Sequence, residues 1–193
     1  MKRMDIPRLE LDQLPAELAT ALRPRVERLG YLGEFFKCAA HQPAALVSFV
    51  RFTDDLKAAL PDNLTELVAL TVAGWMGNTY ERNQHERLSR KLGFTDDWIR
   101  AANALRADGQ TALDEAERCV QHLTLGVLTE RGHGVQAELD AVVGALGAAQ
   151  AIAVLMLIGR YVTHALIVNA LGLAPPVASI FAEQKTATTD ERR

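Results

Sequence analysis

Apolar residues recur at three- and four-residue intervals along most of the chain. ALVSFVRFTDDLKAAL (45–60) and AERCVQHLTLGVLTE (116–130) show the pattern clearly. This spacing puts one greasy stripe on each of a series of amphipathic helices. Short alternating runs bounded by turn pairs, the mark of strands, are nearly missing, so the pattern predicts an all-helical chain. Breakers stand at Pro15, Pro24, Gly30, Pro43, Pro61, Gly77, Gly93, Gly109, Gly132 to Gly134, Gly147 and Pro175 to Pro176, leaving room for about eight helices.

One segment departs from the stripe pattern. Ala141 to Gly159 is uncharged for nineteen residues, near the length of a membrane span. Its alanines and glycines, with Gln150 at the middle and RYVTH directly after, predict a buried core helix instead, with a break at Gly144 or Gly147. Segments 64–92 and 135–171 both read as helix pairs of similar length ending in similar motifs, KLGF and ALGL, which suggests a degenerate internal duplication.

The chain has 193 residues, which suits one domain, or one domain built of two helical lobes, with a substantial core. A net charge of −3 excludes a broad basic surface for nucleic acid or anionic lipid. Cys38 and Cys119 form no C-x-x-C, so neither a dithiol motif nor a zinc knuckle is written. MKRMDIPRLELDQLP lacks the apolar run of a signal peptide, and a cytoplasmic location is expected. The polar run from Glu183 is expected to fray.

The chemistry concentrates in GNTYERNQH, 77–85. A straight helix would hold Glu66 and His85 roughly 28 Å apart, at about 1.5 Å per residue. A break at Gly74, Gly77 and Asn78 changes this, with Asn78 capping a second helix from Thr79 to about Leu92, ended by Gly93. If the helices fold back, Glu66 approaches His85. Asn78, Glu81 and His85 then share one stripe by the i, i+3, i+4 rule. Two readings stand. Asn63-x-x-Glu66 and Asn78-x-x-Glu81 are variants of the capping box, which serves stability alone. Two carboxylates and an imidazole are also a proton-transfer set.

The run LTELVALTVAGWMGNTYERNQHERLSRKLGFTDDWIRAANA (64–104) resembles the carboxymuconolactone decarboxylase and alkyl-hydroperoxidase family. That family's motif has a Glu, two positions three apart, then a His. Glu66 and His85 match the outer positions. Asn78 and Glu81 stand where the peroxidase branch has C-x-x-C, whereas Tyr80-Glu81 with His85 matches the decarboxylase-like form. YLGEFFKCAAHQPAAL and IGRYVTHALIVNALGL look like the entry and final helices, extending the likeness from about Tyr31 to Leu173. Ala153 departs from the pattern, where relatives often carry a Glu.

The resemblance implies an alkyl-hydroperoxidase D-like helical bundle over 31–173, preceded by an arm and first helix (1–30) and followed by a tail (174–193). It also implies a homo-trimer or homo-hexamer and a small-molecule substrate, with no nucleic acid, membrane, cofactor or metal. The function implied is thiol-independent acid/base chemistry, lyase or isomerase type, on a small carboxylated lactone or organic acid. Glu66, Glu81 and His85 are the catalytic candidates, and Asn78, Tyr80, Arg160 and Tyr161 the substrate-binding ones. His164 joins Arg160 and Tyr161 as a polar residue of a core helix that needs a partner. His41, His122 and His133 read as loop, cap or solvated residues, and ligation of a metal by Glu66, Glu81 and His85 is the lesser reading. The alternatives are alkyl-hydroperoxidase-type antioxidant activity through Cys38 or Cys119, which needs a thiolate beside His85, and a non-catalytic oligomeric relative.

Overall fold

The computed structural model describes residues 6–109 and 111–182. Among these residues it contains nine α-helices, one short 3-10 helix (Leu11–Gln13) and no strand. The chain divides into two compact units, Met1–Asp55 and Leu56–Arg193.

The first unit holds α1 (Ala16–Leu29), α2 (Glu34–Ala39) and most of α3 (Pro43–Ala59), whose last turn runs into the second. Leu18, Leu22 and Phe35 are its best-buried side chains. Phe35 packs edge-on against Phe36 and tilted against Phe49, at ring separations of 5.2 and 5.9 Å. Pro24 does not end a helix as its position predicts: α1 runs through it and stops at Gly30, which caps it at φ +81°. An interior proline costs one backbone hydrogen bond, about 3 kcal/mol. Burial of Leu18 and Leu22, with the Arg25–Asp54 ion pair beyond the proline, offsets that loss. His41 Nε2 donates to the Pro7 carbonyl, 2.9 Å away, as a loop residue.

The second unit is organised around α4 (Asp62–Trp75). Ten consecutive residues, Leu64 to Ala73, are buried, so α4 is enclosed all round and not amphipathic. Around it lie α5 (Thr79–Lys91), α6 (Asp96–Asn103), α7 (Glu115–Glu130) and α9 (Ala148–Leu171), while α8 (Gln136–Leu146) packs on α7 and α9. Glu117 ties this arrangement: it completes a capping box with Asp114 and accepts from Trp98 Nε1 (3.0 Å) and Asn63 Nδ2 (2.8 Å).

The uncharged stretch breaks at Gly147, which ends α8 and begins α9 at φ +83°, ψ 163°, a region open essentially to glycine. The two helix pairs differ in length, 14 and 13 residues against 11 and 24. Helix α9 is long and apolar enough to cross a membrane. It is buried on one face only, where Arg160, Tyr161 and His164 lie among Leu157, Ile158 and Val168; Ile152, Met156 and Leu166 are exposed. That polar, packed face marks a core helix of the unit.

Candidate active site

The α4–α5 turn builds the site. Asn78 N–H donates to the Ala73 carbonyl (2.8 Å) and Met76 N–H to that of Val72 (2.9 Å). Gly77 makes the reversal at φ +64°, where a Cβ would be strained. Asn78 then caps α5 by accepting from Glu81 N–H at 3.2 Å. Phe94 N–H to the Ser89 carbonyl, with Gly93 at φ +96°, closes the far end.

Half of the capping reading therefore holds. Asn78 is a cap, but neither glutamate returns to a cap backbone. Pro61, not Asn63, occupies the N-cap of α4, and Asn63 gives its amide to Glu117. Both carboxylates turn to imidazoles instead.

His85 Nδ1 lies 2.6 Å from Glu66 Oε2, and its Nε2 lies 3.0 Å from Glu81 Oε2. The other Glu81 oxygen, Oε1, is 3.0 Å from His164 Nε2, and Arg160 stands 3.8 Å from Oε2. Lys57, from the last turn of α3, approaches Glu66 Oε1 at 3.7 Å. The Tyr161 ring meets His85 edge to face, with centroids 5.3 Å apart, and carries the Arg160 guanidinium 4.3 Å above its centre. Tyr80 is buried, its ring 6.1 Å from that of His164. Glu66, Glu81, His85, Asn78, Tyr80, Arg160 and Tyr161 thus gather in one region through α4, α5 and α9. His122 and His133 do not: His122 pairs with Asp108 at the surface and His133 is exposed.

Lys57 and the His164–Glu81 contact were not anticipated. The spacing of Leu157, Arg160, Tyr161, His164 and Val168 marks one face of α9, but nothing local says which carboxylate that face meets.

Burial alone would lower the His85 value; Glu66 and Glu81 outweigh it and raise it from 6.5 to about 9, making the ring an imidazolium at neutral pH. Burial likewise works against ionised Glu81 and Glu66. His164 and His85 nonetheless hold Glu81 well below the ordinary 4.5, and His85 with Lys57 lowers Glu66. His164 is depressed, by burial first and then by Arg160 and His85, against the pull of Glu81, and stays neutral. Three cations, Lys57, His85 and Arg160, therefore face two carboxylates. No group of three or more His, Cys, Asp or Glu among the described residues is arranged to hold a metal ion.

These directions fix a pH dependence. The raised His85 stabilises the fold fully below 6.5 and loses that contribution as pH rises through about 9. The depressed His164 works against stability below 6.5, and the lowered Glu66 and Glu81 contribute above 4.5 and fade as pH falls through their values. Stability is therefore expected to peak near pH 6.5, with a loss on the order of 3 kcal/mol across the His85 titration. Urea midpoints at pH 5, 6.5 and 9 read this directly. The difference between wild type and His85→Gln should narrow at the alkaline end, and a constant difference would contradict it.

The opposite face of α5 is pinned by the segment that follows α9. Asn83 Nδ2 donates to the Val177 carbonyl (2.9 Å) and Arg87 Nε to that of Ala178 (3.0 Å). The buried Glu86 accepts from Ser179 Oγ (2.6 Å), Ile180 N–H (3.2 Å) and Asn103 Nδ2 (3.1 Å). The expected fraying from Glu183 lies outside the described residues.

Residues 43–121 match the family described as Carboxymuconolactone decarboxylase family. The match is narrower than the likeness expected from Tyr31 to Leu173; it contains Glu66, Asn78, Glu81 and His85 but not α9. No curated protein matches the sequence. Among solved structures, the debrominase Bmp8 is similar in fold: the apo form superposes with a TM-score of 0.78 at 16% identity, covering 92% of this chain and 95% of that one. A form in complex with 2,3,4-tribromopyrrole gives 0.77 at 16% identity, over 90% and 92%. An uncharacterized peroxidase-related protein from Ralstonia eutropha, described as an alkylhydroperoxidase AhpD core, gives 0.71 at 19% identity, over 90% and 91%. At these identities the likeness is one of fold.

Proposed function

From a chain that matches the carboxymuconolactone decarboxylase family over 43–121 and has the fold of alkylhydroperoxidase D-like proteins, we propose thiol-independent acid/base chemistry on a small carboxylated lactone or organic acid, of lyase or isomerase type. The observation that carries this reading is His85, an imidazolium gripped by Glu66 and Glu81 at 2.6 and 3.0 Å. Loss of carbon dioxide from a carboxylated lactone needs a proton for the carbon left behind. The carbon–carboxylate bond breaks, its electron pair stays on carbon, the His85 Nε2 proton adds there, and solvent restores the proton. Glu66 keeps Nδ1 and so fixes the ring.

The excess positive charge suits an anionic substrate, with Arg160 as the partner for its carboxylate. Asn78 Nδ2 is buried and has no hydrogen-bond acceptor among the described residues, which supports its role as a donor to a substrate oxygen. Tyr80 and Tyr161 border the same groups.

The runner-up is hydroperoxide reduction, which requires a thiolate and a resolving thiol. Carboxylates, not sulfur, stand at both ring nitrogens of His85. The test is the ultraviolet decay of 4-carboxymuconolactone by purified protein, with cysteine blocking and peroxide consumption measured beside it. Turnover that survives blocking supports the lyase reading. Thiol-dependent peroxide loss without lactone turnover supports the runner-up, and silence in both assays points to a different substrate or to a non-catalytic relative.

Assembly as a homo-trimer or homo-hexamer in the cytoplasm is part of the same proposal. The exposed Ile152, Met156 and Leu166 are the apolar surface that another copy would cover. Sedimentation velocity should show three or six protomers; a monomer at micromolar concentration would remove this part.

A further inference from the structure

Glu81 is shared between two imidazoles, one oxygen each. Its Oε2 lies 3.0 Å from His85 Nε2 and 3.8 Å from Arg160, while its Oε1 lies 3.0 Å from His164 Nε2. The two rings come from different helices, His85 from α5 and His164 from α9, so the carboxylate is held from both sides and has one orientation. We propose that His164 is a positioning residue which, by donating Nε2–H to Glu81 Oε1, holds that carboxylate in place as an anion so that the transferable proton rests on His85. The inference deepens the acid/base reading above and rests on it for its catalytic meaning.

The charged and titratable groups facing Glu81 are His85 on its own helix, His164 and Arg160 on α9, and more distantly Glu66 on α4 with Lys57 behind it. A buried carboxylate in this setting is an anion only because donors surround it. If one is removed, Glu81 becomes a competing site for the proton that His85 is to deliver. Burial, Arg160 and His85 oppose a charge on His164 against the pull of Glu81, so at pH 7 and above it is a neutral donor and not a second cation. A neutral donor has a distinctive signature. It stabilises the Glu81 anion equally whether His85 is protonated or not, so its loss shifts Glu81 and leaves His85 where it was.

The experiment is a carbon-13 titration of glutamate carboxyls with nitrogen-15 observation of the histidine rings, on the full chain. Glu81 is assigned through Glu81→Gln. In His164→Leu, the proton affinity of Glu81 is expected to rise about tenfold or more, while His85 still titrates near its wild-type value of about 9. His164→Gln, which retains a side-chain N–H donor, is expected to restore most of the wild-type Glu81 value. His164→Asn, too short to reach Oε1, should behave like His164→Leu and serves if the leucine variant does not fold.

An unmoved Glu81 in either donor-less variant overturns the proposal. So does a parallel rise of His85, because that would make His164 a charge and not a donor. In the pH dependence of turnover the acid limb should move to higher pH in His164→Leu, with the alkaline limb unchanged. Because the carboxyl titration needs no substrate, a protein with the expected shifts but no lactone turnover would keep the positioning role while removing the acid/base function.

Discussion

His85→Ala is expected to lower turnover of a verified carboxylated substrate by roughly 10²–10⁴, the usual contribution of a positioned acid. The size follows from the lack of a substitute: Glu81 is held ionised and His164 neutral by their surroundings, and Lys57 stands behind Glu66. Alanine also removes the cation between two buried carboxylates, so a loss of stability accompanies the loss of rate. The two are separated by measuring initial rates well below the variant's melting temperature, checking far-ultraviolet circular dichroism, and repeating with His85→Gln. A rate loss under tenfold in folded protein would sink the assignment of His85 as the acid.

The largest stability effect is expected at Glu81. It is 7% exposed and is the common partner of His85, His164 and Arg160. Removing one member of a buried charge cluster costs about 3–5 kcal/mol, because the others stay desolvated without compensation. For a chain of this length that corresponds to a fall in Tm on the order of 10 °C. Glu81→Gln retains the shape and part of the hydrogen bonding, and should lose less than Glu81→Ala. Scanning calorimetry at pH 7 decides the matter: a drop below about 2 °C for alanine would show that the cluster contributes little to stability.

The parts of the molecule readable in sequence are those fixed by short-range rules. Gly77 and Asn78 announce the α4–α5 turn because one needs positive φ and the other offers a capping oxygen, and Gly93 announces the end of α5 in the same way. Once that turn is placed, the periodicity aims Glu81 and His85 in one direction, and the reversal brings Glu66 to them. What could not be read depends on separation along the chain. His164 meets Glu81 from 83 residues away, and Ser179 meets Glu86 from 93. Periodicity gives each helix its face but not its neighbour. Pro24 shows the opposite failure: a strong local rule is overruled by the burial of Leu18 and Leu22. Asn63 is similar, its amide taken by Glu117 from another helix.

Helix α5 is held almost wholly by polar groups. Its buried residues are Tyr80, Glu81, Asn83, His85, Glu86 and Ser89, with the imidazole system on one face and the Glu86 system on the other. The apolar share of its contact comes from α4, which α5 helps to enclose, so lifting α5 uncovers α4 and carries the heat-capacity change of that exposure. Cooling weakens the apolar contacts of α4, while the contacts of His85 on α5 loosen as pH rises through about 9. The polar grip on α5 thus answers to proton activity, and the apolar cover that it gives α4 answers to temperature.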